Sequence, residues 1–255
     1  AVPPLIVRQL GDPTFLSTHG VNCAYLAGAM ANGIASAEMV IALGKAGILC
    51  SFGAAGLVPD RIEAAIQQIQ TALPDGPYAF NLIHSPSEAQ IEQRTVDLYI
   101  QHGIKTIEAS AFLSLTPNVV RYRASGLRLN SANQIEIGHK IIAKVSRTEV
   151  ATKFMSPAPP EMLKQLVEQG SITQLQATLA AKVPMADDVT VEGDSGGHTD
   201  NRPLISLLPT ILKLRDSIQD RYGYESPVRV GAAGGIGTPA SVLAVLMMGA
   251  AYVVT

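Results

Sequence analysis

One pattern constrains this chain more than any other. Short apolar runs alternate with segments whose apolar residues recur at helical spacing, and glycine or proline stands at most of the junctions. The runs are residues 24–30, 48–52, 78–83, 104–109, 140–145, 188–192, 228–232 and 251–255. They are rich in Val, Ile, Ala and Leu, as strands buried on both faces are. Between them, Met39, Val40 and Leu43 mark one face of a helix, as do Ile62, Ile66, Ile69 and Leu73. A longer helix carries Leu204, Leu207, Leu208, Ile211, Leu214 and Ile218 on one side. Strands joined by helices run parallel, because the crossover returns the chain to the same end of the sheet. Eight such units in 255 residues is the count of a closed (β/α)8 TIM barrel. The expected fold is therefore α/β, a single domain over residues 1–255.

Local signals place the junctions. Asp60 and Glu63 have capping-box spacing; Ser85 as cap, Pro86 at the first helical position and Glu88 beyond make another helix start. Residues 150–154 read as a possible extra strand. Residues 112–138 break the rhythm with Pro117, Gly126 and the arginines Arg121, Arg123 and Arg128, and are expected to form an excursion. Those arginines either dock an anionic partner or form a solvated basic face. The chain runs out at Thr255, inside the eighth strand and before the helix that should follow it. A fragment, truncated in the eighth strand, with apolar surface bare on one side, is the expectation.

Charge excludes some functions. Nineteen Lys and Arg against 21 Asp and Glu leave a net charge of −2, with no basic patch to suggest nucleic acid as a partner. Cys23 and Cys50 stand far apart without metal-ligand spacing, which argues against a disulfide scaffold or zinc site and for a reducing cytoplasm. No apolar run reaches the ~18 residues of a membrane span.

Two glycine-bearing turns carry the chemistry. Residues 192–203, Glu-Gly-Asp-Ser-Gly-Gly-His-Thr-Asp-Asn-Arg-Pro, leave the end of a strand. Gly196 and Gly197 let a backbone approach a ligand closely, and His198, the side chain type that titrates near neutrality, follows them. The alternative is a plain turn with a surface histidine. The second turn, residues 231–239, follows the seventh strand and opens a helix at Thr238 and Pro239. Free amides at such a helix start bind phosphate, and barrels place phosphate sites after strands seven and eight. A tight turn that merely needs glycine is the bland reading.

These residues resemble a known family. The Asp194-Ser-Gly-Gly-His198-Thr-Asp-Asn-Arg-Pro203 loop, the Ala233-Gly-Gly-Ile-Gly237 turn, the Asn81-Leu-Ile-His-Ser-Pro86 turn and the Lys182-Val-Pro-Met-Ala-Asp-Asp188 approach are similar to the PfaD family. These are the trans-acting enoyl reductases of polyunsaturated fatty acid and polyketide synthases, within the nitronate monooxygenase and FMN-dependent enoyl reductase superfamily. The resemblance implies an FMN-dependent oxidoreductase. Hydride would pass from NAD(P)H by way of FMN to an enoyl thioester carried by acyl carrier protein. It further implies that Gly28 and Met30 lie against the flavin ring, that Asn81 binds the flavin, and that Lys144 sits near its pyrimidine edge. Gly196 and Gly197 would line the flavin, Gly234, Gly235 and Gly237 would cradle its phosphate, and His198 would be the active-site histidine. Matching Glu192 to a ligand is left open.

Each placement has a plainer counterpart. Asn81 would only cap a turn, and His19, His84, His102 and His139 read as turn or surface residues. Lys144, an ammonium in an apolar strand, demands an anionic partner, which the flavin edge would supply. Two other functions stay open: nitronate oxidation by the same flavin and histidine, and a non-catalytic barrel serving a synthase complex.

Overall fold

The computed structural model describes residues 4, 6–86, 89–193 and 200–255. A 3-10 turn at Val7–Gln9 leads to α1 (Pro13–His19), capped by Asp12, whose side chain accepts the Thr14 amide. Then come β1 (Tyr25–Ala27), α2 (Ala37–Lys45), β2 (Leu49–Phe52), α3 (Pro59–Ala72), β3 (Ala79–Ile83), α4 (Ala89–Gln101) and β4 (Thr106–Ser110). After α5 (Pro117–Ser125), a hairpin of β5 (Leu127–Leu129) and β6 (Ile135–Ile137) precedes β7 (Lys140–Val145). Three helices, α6 (Thr148–Met155), α7 (Pro160–Glu168) and α8 (Gln174–Ala180), lead to β8 (Asp188–Glu192). The series ends with α9 (Leu204–Tyr222), β9 (Arg229–Ala233), α10 (Pro239–Met247) and β10 (Val253–Val254).

Eight strands close into a parallel barrel in the order β1-β10-β9-β8-β7-β4-β3-β2. Closure is sealed where Tyr25 and Leu26 register with Val253 and Val254. The expected (β/α)8 TIM barrel is thus the observed one. Side chains alternate along each strand. Phe52, Phe80, Ile107, Ile141, Val189 and Val230 turn outward and pack under the helices. Leu26, Leu49, Ala79, Ile142, Ala233 and Val254 turn inward. The same phase sends Ser51, Asn81, Glu108, Lys144, Thr190 and Glu192 inward, two residues at a time.

Helix α1 closes the bottom of this cylinder. Phe15 belongs to the interior cluster and stacks on Tyr252, with ring centroids 4.4 Å apart. His19 Nε2 lies 2.8 Å from Asp188 Oδ2, while Arg229 reaches both oxygens of Asp188 at 2.6 and 2.9 Å. Asp188 and Arg229 are the first residues of their strands, so this cluster forms the floor. Burial alone would raise the Asp188 pKa, but His19 and Arg229 outweigh it and hold the carboxyl below its ordinary range.

Several expectations need correction. Residues 150–154 are not strand but lie within α6. Their polar–apolar alternation is outvoted by burial at Val150, Ala151, Phe154 and Met155, which is helical spacing. Helix α3 starts from Val58 with Pro59 at its first position, and Asp60 and Glu63 make no cap there. The described part of α4 begins at Ala89, and Glu88 lies outside the described residues. Within residues 112–138, α5 is a regular barrel helix, and the β5–β6 hairpin is the part that departs from the repeat. Nor is Arg123 surface: it is buried, and donates to Asp187 and to the carbonyl of Pro184. His19 is likewise buried, not a turn residue.

Outside the barrel, an apolar groove of about 280 Å3 runs beside β1 and β10, lined by Val7, Tyr25, Ile48, Val242, Leu246 and Val253. Among the described residues, no helix is long and apolar enough to cross a membrane.

Candidate active site at the barrel mouth

Because every barrel strand is parallel, every strand-to-helix loop leaves from the same end. The two glycine turns therefore open together, and contacts between them show it. The Gly193 amide donates to the Ala233 carbonyl at 2.9 Å. A Cβ on Gly234 would stand 2.8 Å from Gly193 N and 3.0 Å from its Cα, too close for any side chain. On the far side of residues 194–199, Asp200 is held by Ser146 at 2.9 Å and by both donors of Arg147 at 2.8 and 2.6 Å, at the end of β7. Hydrogen bonds from Arg147 and Ser146 keep its carboxyl below the usual range. Gly196, Gly197 and His198 lie outside the described residues, and their flanks sit at the mouth.

The Gly234 turn has left-handed backbone at two successive positions, φ 100° at Gly234 and 70° at Gly235, which favours glycine strongly. Helix α10 then starts with Thr238 as cap, paired with Ser241 in a capping box. That pairing uses the amides of Thr238 and Ser241, and the Gly237 amide turns back to Gly235 O at 3.2 Å. Among the described residues, the Gly235 and Ile236 amides have no protein acceptor. Space beside Gly237 is open.

Around the rim, Gly28 lies at the end of β1, its amide bonded to the Thr255 carbonyl at 3.0 Å. A Cβ there would come within 3.0 Å of Val254 and 3.5 Å of Glu108 Oε1. Met30 is exposed, and its carbonyl packs so tightly on Gly53 that a Cβ at 53 would collide with it. Asn81 is buried, and its Nδ2 donates to Glu108 O at 3.1 Å and to Ser110 Oγ at 2.9 Å. It spans β3 and β4 and does not cap a turn.

Lys144 has partners within the chain. Its Nζ lies 3.1 Å from Glu192 Oε1, and the buried carboxylate of Glu108 adds to the negative field. Burial pulls the lysine's pKa down, yet Glu108 and Glu192 together outweigh it and hold the ammonium above its ordinary range. The anionic partner that Lys144 demands is therefore present within the chain. Glu192 is a partner of this lysine.

Glu108 is the residue that motif and spacing did not single out. It has no exposed surface; Oε2 accepts the Ala29 amide at 2.9 Å, and among the described residues Oε1 finds no donor. Ser51 Oγ, on an inward position of β2, is also buried and has no partner among the described residues. A glutamate inside a strand, where carboxylates are depleted, was the available signal.

The other histidines lie outside this cluster. His84 Nδ1 meets Glu92 Oε2 at 2.7 Å and stacks on Phe112, beside Thr116, whose hydroxyl also bonds Glu92. His102 pairs with Glu63, and His139 contacts the Tyr122 carbonyl. A cleft of about 370 Å3 opens beside the mouth between α3 and α4, lined by Leu57, Ile62, Asn81, Ile83, Ile91 and Thr95. It does not reach Gly234 or Lys144. Among the described residues no cluster of His, Cys, Asp or Glu could hold a metal ion.

Comparison with known proteins gives the family and supports the fold. Residues 23–255 match the nitronate monooxygenase family. The chain is 52% identical over its whole length to one of the polyunsaturated fatty acid synthase subunits of a Thraustochytrium species, covering 17% of that protein. It is 44% identical over 98% of its length to the polyketide biosynthesis protein PksE of Bacillus subtilis, covering 33% of it. The chain thus spans a minor part of these relatives. Among solved structures, the enoyl reductase domain of MlnA, from the macrolactin biosynthesis cluster of Bacillus amyloliquefaciens, superposes with a TM-score of 0.93 at 41% identity, covering 98% of this chain and 56% of that one. FabK from Thermotoga maritima shares the fold, with a TM-score of 0.63 at 21% identity over 94% of this chain and 60% of that one. By sequence and by architecture, the chain belongs to the nitronate monooxygenase family.

Proposed function

We propose that this barrel is an FMN-dependent enoyl reductase acting in trans on enoyl thioesters carried by acyl carrier protein, within polyunsaturated fatty acid or polyketide biosynthesis, with NAD(P)H as reductant. The observation that carries this reading is the likeness to the MlnA enoyl reductase domain along almost the entire chain. Relatives in both kinds of synthase support the setting.

The mouth fits FMN on features of its own residues. Gly234, Gly235 and Gly237, with unclaimed amides at the turn, would hold the phosphate. Gly28, Met30, Gly196 and Gly197 would flank the ring. Asn81 would bind the flavin, Lys144 would meet its pyrimidine edge, and the open oxygen of Glu108 is a polar atom awaiting a donor. Bound FMN supplies hydride chemistry, and the protein orients and protonates. Lys144, kept charged by Glu108 and Glu192, favours negative charge beside it. His198 is the group proposed to deliver a proton to the substrate's α-carbon or to donate to the developing oxyanion, since an imidazole has both forms accessible near neutrality.

Nitronate oxidation is the second reading, favoured by the family match itself. Steady-state NADPH oxidation with a crotonyl thioester, set against a nitronate, separates the two. Turnover of the thioester is expected. Turnover of the nitronate alone would overturn the enoyl reductase assignment, and a purified protein without a flavin absorption band would leave only a binding role in the synthase.

A further inference from the structure

We infer that Glu108 is a positioning residue that works from beneath the mouth: one carboxylate oxygen ties segment 28–30 to the barrel wall, the carboxylate stands on the strand beside Lys144, and the second oxygen is an acceptor reserved for a donor on the bound ligand.

Glu108 sits at an inward position of β4, fully buried. A buried carboxylate is costly unless hydrogen bonds or a nearby charge compensate it. Two things counter that. Oε2 accepts the Ala29 amide at 2.9 Å, a charge-assisted bond that pins the loop after β1. Lys144 lies on the adjacent strand: Glu108 registers with Ile142, and Lys144 is the next inward residue after it. The other titratable group bearing on Lys144 is Glu192, from β8. Lys144 thus stands between carboxylates on both neighbouring strands, and Glu192 makes the direct contact.

Oε1 is left over. A buried, unpaired oxygen on a charged group is costly, and natural structures rarely keep one idle. It lies 3.5 Å from the point that a Cβ on Gly28 would occupy, so glycine at 28 leaves clear the space next to it. An open acceptor and a missing side chain coincide. The group that suits them offers an N–H toward Glu108 and an oxygen toward Lys144, which is the edge of an imide ring. This last step rests on the flavin reading above; the other two do not.

The test compares Glu108→Gln and Glu108→Asp with wild type in the full-length protein. Two measurements are made without any flavin. Hydrogen exchange at the Ala29 amide should quicken roughly tenfold in Glu108→Gln, the equivalent of about 1.4 kcal/mol. The Lys144 resonance, observed by 13C-methyl labelling and assigned with Lys144→Arg, should titrate at lower pH in Glu108→Gln and near the wild-type position in Glu108→Asp. If neither changes in Glu108→Gln, the positioning role is overturned whatever the protein binds. The third measurement is affinity for FMN against N3-methyl FMN, which lacks the imide N–H. Wild type should prefer FMN roughly tenfold, and Glu108→Gln should lose most of that preference. Equal preference in both proteins would sink the acceptor role. Failure of wild type to bind either flavin, with the first two changes intact, would sink the flavin reading and leave the positioning role standing.

Discussion

The barrel buries a charged cluster at each end, and the two are finished to different degrees. At the floor, Asp188 has both oxygens engaged, by His19 and by the fork of Arg229, and Arg229 also reaches the hydroxyl of Thr18 at 3.0 Å. Among the described residues, the floor leaves His19 Nδ1 open, one ring nitrogen of an imidazole. At the mouth, Glu108 keeps a carboxylate oxygen without a donor, and Ser51 keeps a hydroxyl without a partner. A closed network locks helix α1 onto the sheet. An open one forgoes stability, and such sacrifices collect where a ligand completes the set. The floor pairs tie α1 to the sheet, while the mouth pair of Lys144 and Glu192 stands beside an open acceptor.

Breaking the floor should do the most damage to folding. Asp188→Ala leaves Arg229 buried without its carboxylate, which costs about 3–5 kcal/mol of unfolding free energy. Urea denaturation would read it, and a loss below about 1 kcal/mol would erase the distinction between the two ends. His198→Ala should spare stability and flavin retention yet lower enoyl reduction roughly 10²–10⁴-fold, the range for a removed general acid. Steady-state turnover checks this, and an unchanged rate removes the histidine from the mechanism.

Lys144→Met probes the mouth directly. It should weaken FMN binding roughly tenfold and lower unfolding free energy by about 1.5–3 kcal/mol, the size of one charge-assisted hydrogen bond. Flavin fluorescence titration and denaturation on the same sample give both numbers. Acid provides a fourth test. The Asp188 carboxyl is held below its ordinary value in the folded protein, so its contribution is full above the unfolded pKa, near 3.8, and is lost as pH falls through the folded one. Asp188→Asn should flatten that part of the stability profile below about pH 4. The smallest effect belongs to neither end. Arg128 and Glu136 pair on the exposed β5–β6 hairpin, and Arg128→Ala should leave the melting temperature unchanged, as most surface pairs do.

Much of the fold was legible in sequence because a parallel barrel repeats its signals. Each apolar run between turn residues announced a strand, and each set of apolar residues at helical spacing a helix. The errors came where local patterns compete. Val150, Thr152 and Phe154 alternate like a strand until Ala151 and Met155 are found to be buried too. Arg121, Arg123 and Arg128 look alike in a row, but Arg121 bonds Asp97 at the surface, Arg128 bonds Glu136, and Arg123 crosses beneath the barrel wall to Asp187. Nothing in their spacing separates them. The mouth glycines were visible because left-handed backbone and close approach leave few other choices at Gly234 and Gly235.

By itself, the sequence determined that strands and helices alternate, that all the strand-to-helix turns share one end, and that the glycine turns therefore meet. Directionality alone carries that conclusion, since a helical crossover returns the chain to where it began. Only the tertiary structure decided which polar residues face inward and whom they meet. With both faces of each strand buried, the two phases of the alternation look equally apolar, so Glu108 and Asp188 give no sign of the side they occupy. Their partners come from far along the chain, His19 being 169 residues from Asp188, and the closure of the sheet is what brings them into reach.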